Sequence, residues 1–120
     1  MRRIPLQAHP EGFQLDLEKD LAFINVPDAR QIAVIDMAAG RQIGTWQIPD
    51  DLRANFPMAL DPSRAVAAVI FRGPPRLVTF DAKTGKLTGT LITCGDGDDV
   101  FFDAKRGRVY VSCGEGEVDV

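Results

Sequence analysis

A chain of 120 residues suits one domain with a real core, and 45% apolar with 26% charged side chains is ordinary for a folded protein. A net charge of −3 leaves no basic footprint for nucleic acid, and no apolar run approaches the length of a membrane span. The start, MRRIPLQAHP, also lacks the apolar core of a signal peptide, so neither nucleic acid nor a membrane is expected as a partner.

In chain order, the first apolar stretch is a stub from Ile4 to Gln7. Phe13-Gln14-Leu15-Asp16 follows, then the polar turn LEKD and the apolar run LAFINV. The run IAVI leads into the hairpin Asp36-Met37-Ala38-Ala39-Gly40-Arg41, and QIGTWQI closes this set. Met58-Ala59-Leu60-Asp61 opens a second set with turn PSRA, runs VAAVIF and LVTF, hairpin Asp81-Ala82-Lys83-Thr84-Gly85-Lys86 and run KLTGTLI. A third set holds Val100-Phe101-Phe102-Asp103, turn AKRGR, run VYVSC and a last strand from Glu117. These runs are short, β-branched and aromatic, and no helical period survives three turns, which predicts an all-β fold. LAFINV is apolar on both faces, as a strand packed between neighbouring sheets must be.

The three sets are copies of one another. Asp16, Asp61 and Asp103 close the first strand of each and lie 45 and 42 positions apart, while the two Asp-to-Gly hairpins again lie 45 apart. In those hairpins Gly tolerates positive φ and Asp can bond its own backbone. A four-strand repeat of about 40–45 residues has the size of a β-propeller blade. An immunoglobulin-like sandwich is the competing all-β fold, but it does not produce hairpins repeated in phase.

The residues HPEGFQLD, LAFINV, IAVIDMAAGR, LVTFDAKTGK and GRVYVSCGEGEVDV together resemble the YVTN family of bacterial β-propeller repeats, over nearly the whole chain. The resemblance implies a propeller fold and an exported, periplasmic or secreted parent protein. It implies little about function. Family members usually hold a closed ring, and this chain is too short for one.

Labelling strands A to D from the channel outward, the chain reads D–ABCD–ABCD–ABC. Residues 1–8 form the D-strand stub, 9–53 blade one, 54–95 blade two, and 96–120 blade three without strand D. Propellers typically close with about four to eight blades, so three make an incomplete ring. Other blades must then be its partners, supplied by a longer parent chain or by a second copy in a six-bladed homodimer. The stop at Val120, inside an apolar strand, favours the parent chain.

The A–B and C–D turns are regular and read as structural. The D–A and B–C loops differ between copies, so any protein or small-molecule ligand belongs on their face, at the channel mouth. His9, Glu11, Asn55, Arg72, Arg76, Asp98 and Asp99 are the candidate binding residues there. In phase, Glu11, Phe56 and Asp98 are equivalent, as are Gly12, Pro57 and Asp99, while Asn55 matches Gly97 and His9 matches Asp96. Glu11, Asn55 and Asp98 turned to the ring axis would supply the hard oxygen ligands that Ca²⁺ prefers. The ordinary alternative is that these side chains cap strand ends and face water. Arg72 and Arg76 bracket Gly73-Pro74-Pro75 and offer a cationic pair for an anion, or a solvated loop tip. The acidic stretch CGDGDDVFFD is no EF-hand, because Val100 and Gly107 fall where ligands are required, and it lacks the GK[ST] ending of a phosphate loop.

The sole histidine, His9, excludes a two-histidine zinc site within one chain, and no G-x-S-x-G elbow accompanies it. With no complete catalytic set, the leading function is a non-enzymatic propeller module that needs no cofactor. The alternative is a divalent-metal-dependent hydrolase resembling the six-bladed gluconolactonase class, where Glu11-Gly12 looks similar to the metal-binding Glu-Gly. There the cation polarises a lactone carbonyl. Trp46 is predicted to pack between blades. Cys94 and Cys113, nineteen positions apart, read as two separate thiols unless the fold brings them together.

Overall fold

The β-branched runs and their Asp- and Gly-bearing turns build eleven strands in three antiparallel sheets, with no α-helix, in a computed structural model that describes all 120 residues. Sheet one orders β1 (Phe13–Asp16), β2 (Leu21–Val26), β3 (Gln31–Asp36) and β4 (Arg41–Gln47) side by side. Sheet two repeats this with β5 (Arg53–Asp61), β6 (Val66–Gly73), β7 (Pro75–Asp81) and β8 (Leu87–Ile92). Sheet three holds β9 (Gly97–Asp103), β10 (Arg108–Cys113) and β11 (Glu117–Asp119). Equivalent residues pair at equivalent places: Phe13 faces Ile24, Met58 faces Val69, and Val100 faces Val111.

The sheets hold together through their faces. Phe23, Ile32, Val34 and Trp46 of sheet one meet Val69, Phe71, Val78 and Phe80 of sheet two in one buried cluster. Ala59, Ala68, Ile70 and Leu77 meet Val100, Val111 and Cys113 across the second joint. Side chains of this size each stabilise by about 1.5–3 kcal/mol when buried, so these joints dominate the few backbone bonds between sheets. Trp46 lies 4.9 Å from the Phe23 ring and 5.9 Å from Phe80, which makes it the inter-blade packing residue predicted for it.

Each A–B turn is fastened by the aspartate that marks the repeat. Asp16 accepts from the Lys19 amide and ammonium, Asp61 from the Ser63 hydroxyl and Arg64, and Asp103 from the Arg106 amide and guanidinium. The side-chain bonds from Lys19, Ser63 and Arg106 are the main cause holding these three carboxyls below their ordinary acidity range. A depressed folded pKa adds stability above the unfolded value and loses it as pH falls through the folded one. The melting temperature should therefore stay flat from about pH 7 to 5 and drop below about pH 4. In a denaturation series, Asp61→Asn should be less stable at pH 7 and lose less on acidification; an identical acid profile would refute this role.

Three expectations are corrected. The stub Ile4–Gln7 pairs with no strand: Ile4, Leu6 and Ala8 alternate with exposed neighbours, as in a strand, and Gln7 Oε1 accepts from Gln31 Nε2 of β3 at 3.2 Å, but no backbone ladder forms. Its apolar side chains instead cover Ala22, Val26, Ala33 and Ile35 of sheet one. Strands β5 and β9 start earlier than Met58 and Val100, at Arg53 and Gly97, because bulges let the chain run on. One bulge falls at Phe56-Pro57, where Pro57 has no N–H to give to a ladder. Finally, Cys94 and Cys113 form a disulfide. The lead-in to β9 runs beside the β10–β11 hairpin, which places their Cα atoms 6.0 Å apart, within bridging range.

Candidate functional site

The three inner strands β1, β5 and β9 run side by side along a groove of roughly 790 Å³. Glu11, Gly12, Phe56, Pro57, Asp98 and Asp99 line one end of it, so both equivalent triplets read from the repeat phase come together there. Gly12 has a packing reason to be glycine: a Cβ at this position would lie 2.5 Å from the Phe56 carbonyl oxygen. That carbonyl accepts from the Gly12 amide at 3.0 Å, joining sheets one and two at the groove.

Arg72 is the hub of the groove's rim. Its guanidinium reaches Asp98 Oδ1 at 2.9 Å, Asp96 Oδ1 at 3.2 Å and the Gly97 carbonyl at 3.2 Å. It also stacks over the Phe56 ring, 4.5 Å from the centroid. A cation fixed by two carboxylates and an aromatic face is ordered before any ligand arrives. The charge-assisted bonds cross from sheet two to sheet three, so the residue also shapes the joint.

The cationic pair of Arg72 with Arg76 is not assembled. Arg76 is paired with Phe71 across the β6–β7 turn, and Arg72 with Pro75, so the two arginines stand on opposite faces. Arg76 donates instead to the Pro75 carbonyl at 2.7 Å. His9 is exposed, with Nε2 3.6 Å from Glu11 Oε1, at the outer lip of the groove.

Asn55 departs furthest from expectation. It is 1% exposed, and its Nδ2 donates to Asn25 Oδ1 at 2.9 Å and to the Gln31 carbonyl at 3.4 Å. Asn25 in turn donates to the Phe56 carbonyl at 2.8 Å. Asn55 is thus a buried tie between sheets one and two, not an axial ligand. The bulge explains the reversal, because an extra residue turns the side chain away from the channel. Glu11, Asn55 and Asp98 therefore do not fit a shared cation, and no three acidic, His or Cys side chains in the structure converge as a metal site would require.

The sequence reading missed Asn25, Gln31 and Phe56. Asn25 carried a signal, being the one amide within the otherwise apolar run LAFINV. For Phe56 the repeat phase gave the place but not the role, since its use as a platform depends on where Arg72 of another strand lands.

No protein-family model and no curated protein sequence matches the chain. Solved structures do. Hydrazine synthase of Kuenenia stuttgartiensis superposes with a TM-score of 0.75 at 13% identity, over 87% of this chain and 29% of that one. Sqt1 of Saccharomyces cerevisiae gives 0.77 at 15%, over 94% and 31%. The WD40 β-propeller domain of Doa1 gives 0.73 at 13%, over 91% and 35%. The three sheets are β-propeller blades. The chain spans about a third of the length of these structures. At such identities the likeness concerns the fold alone.

Proposed function

We propose that this chain is a non-enzymatic propeller module of the YVTN kind, which binds a protein or small-molecule ligand at the channel-mouth groove. The observation that carries this reading is the ordered rim of Arg72, Asp98 and Phe56 over a groove with an apolar floor. Binding pockets combine an apolar lining with a few fixed polar groups, and this groove has both. The mouth side chains are spent on one another rather than arranged as nucleophile and base. An exported bacterial setting belongs to the same proposal, and the Cys94–Cys113 bridge supports it because disulfides persist in oxidising compartments.

A thermal-shift screen of peptides and metabolites against the purified chain tests this, run beside a lactone and ester hydrolysis panel with and without Ca²⁺. The expected result is a stabilising ligand whose effect is lost in Glu11→Lys or Asp99→Lys, with no turnover. Lactone hydrolysis that Glu11→Gln abolishes would overturn it.

A further inference from the structure

The clamp on Arg72 is built on a stretch of chain that needs support from outside itself. Asp96 sits between Gly95 and Gly97 with φ of +54°, a left-handed conformation that residues with a side chain disfavour. The β9–β10 ladder also breaks here: Ser112 pairs with Asp99 and Cys113 with Gly97, which leaves Asp98 unpaired at a bulge. A bulge re-aims a side chain, and this one sends Asp98 to Arg72 in sheet two.

Three consecutive residues of that stretch are stapled to one place, the turn between β10 and β11. Cys94 is bridged to Cys113, the Gly95 amide donates to Glu115 Oε2 at 2.9 Å, and the Asp96 carbonyl accepts from the Gly114 amide at 2.7 Å. Of these ties only the first is covalent. Glu115 is exposed, and Asp96 and Asp98 keep 57% and 55% of their side-chain surface in water. Ion pairs this exposed are weak unless both partners are already in place. The bridge puts them in place, because it fixes one side of the stretch while Asp96, Gly97 and Asp98 reach Arg72 on the other.

We infer that Cys94–Cys113 is a redox latch on the channel mouth, with Arg72 held while the bridge is closed and released when it opens. A dithiol opens the bridge by exchange: its own two sulfurs become a disulfide, and Cys94 and Cys113 take its two electrons and two protons as thiols. Only hydrogen bonds then hold residues 94–96, and the two glycines let the stretch swing. The core stays, since Ala59, Ala68, Ile70, Leu77, Val100 and Val111 carry the joint of blades two and three.

Opening changes the chemistry of the mouth. Latched, the rim presents a neutralised guanidinium lying over the Phe56 ring; unlatched, it presents a free cation, two free carboxylates and a bare aromatic face. All of these groups belong to the joint of blades two and three. The latch acts on the rim assigned to ligand binding, so its use rests on that reading.

Nitrogen-15 NMR of the full chain reads the latch directly, with no ligand present. Arg72 Nε donates to the Gly97 carbonyl at 3.2 Å in the closed state, so its N–H signal should be resolved and slow to exchange. Dithiothreitol should speed that exchange about tenfold once both cysteines count as free thiols, with the amide signals of β2, β3, β6 and β7 in place. Reoxidation should restore it, and Cys94→Ser with Cys113→Ser should copy the reduced state. Linkage demands the reverse effect too: Asp98→Asn weakens the clamp and should shift the dithiothreitol equilibrium about fivefold toward the reduced form. An Arg72 signal that ignores reduction overturns the inference. So does loss of the whole spectrum, which would make the bridge a condition of folding, or an equilibrium unmoved by Asp98→Asn. None of these outcomes touches the binding proposal, and a failed ligand screen leaves the latch standing.

Discussion

Trp46→Ala should destabilise the protein by about 3–5 kcal/mol, the range for removing a large buried aromatic side chain. Trp46 touches three parts of the first joint at once: the Phe23 ring, the Phe80 ring and the C–D hairpin of blade two. A Cβ on Gly85 would fall on the indole, so the hairpin is shaped around it. Truncation leaves a void between two sheets whose backbones are fixed by their own ladders and cannot collapse into it. Urea denaturation followed by far-ultraviolet circular dichroism measures the loss, with Trp46→Phe expected to lie between the two. A loss below about 1 kcal/mol would show that the joint does not depend on this ring.

Removing the disulfide should cost roughly 3 kcal/mol, the chain-entropy value for a loop of this length. The bridge closes a separation of 19 residues and ties the lead-in of blade three to its own outer hairpin. Its neighbours reinforce the same place: Asp119 Oδ2 accepts from Thr93 Oγ1 at 2.8 Å and from the Cys94 amide at 2.7 Å. Glu115 Oε2 accepts from the Gly95 amide at 2.9 Å. The effect of Cys94→Ser with Cys113→Ser should be local. Amide exchange should quicken in β9, β10 and β11 while β2, β3, β6 and β7 keep their protection. Equal loosening of all three blades, or no change on reduction, would contradict this account.

Much of the fold was legible because a propeller blade is specified locally. Gly40 and Gly85 have φ of +68° and +72°, the conformation their hairpins demand, and Asp36 and Asp81 cap those hairpins through backbone amides. The same holds at the A–B turns, where Asp20, Ala65 and Gly107 adopt the left-handed conformation at equivalent positions. The site was less legible. Glu11, Asp98 and Asp99 reached the groove as read from the phase, because they lie on strands whose alignment is set by the repeat. Asn55, Arg76 and the cysteine pair did not follow the expectation: Asn55 and the cysteines turn on contacts beyond their own strands, and Arg76 on the hairpin register that pairs it with Phe71.

Sequence by itself determined the four-strand period, the turn chemistry and the apolar faces, all of which depend on residues within a few positions of one another. The tertiary structure alone decided that Asn55 turns inward at a bulge and that Cys94 meets Cys113. A bulge inverts the inside and outside of a strand without altering its composition, and blade stacking joins residues that no local period relates.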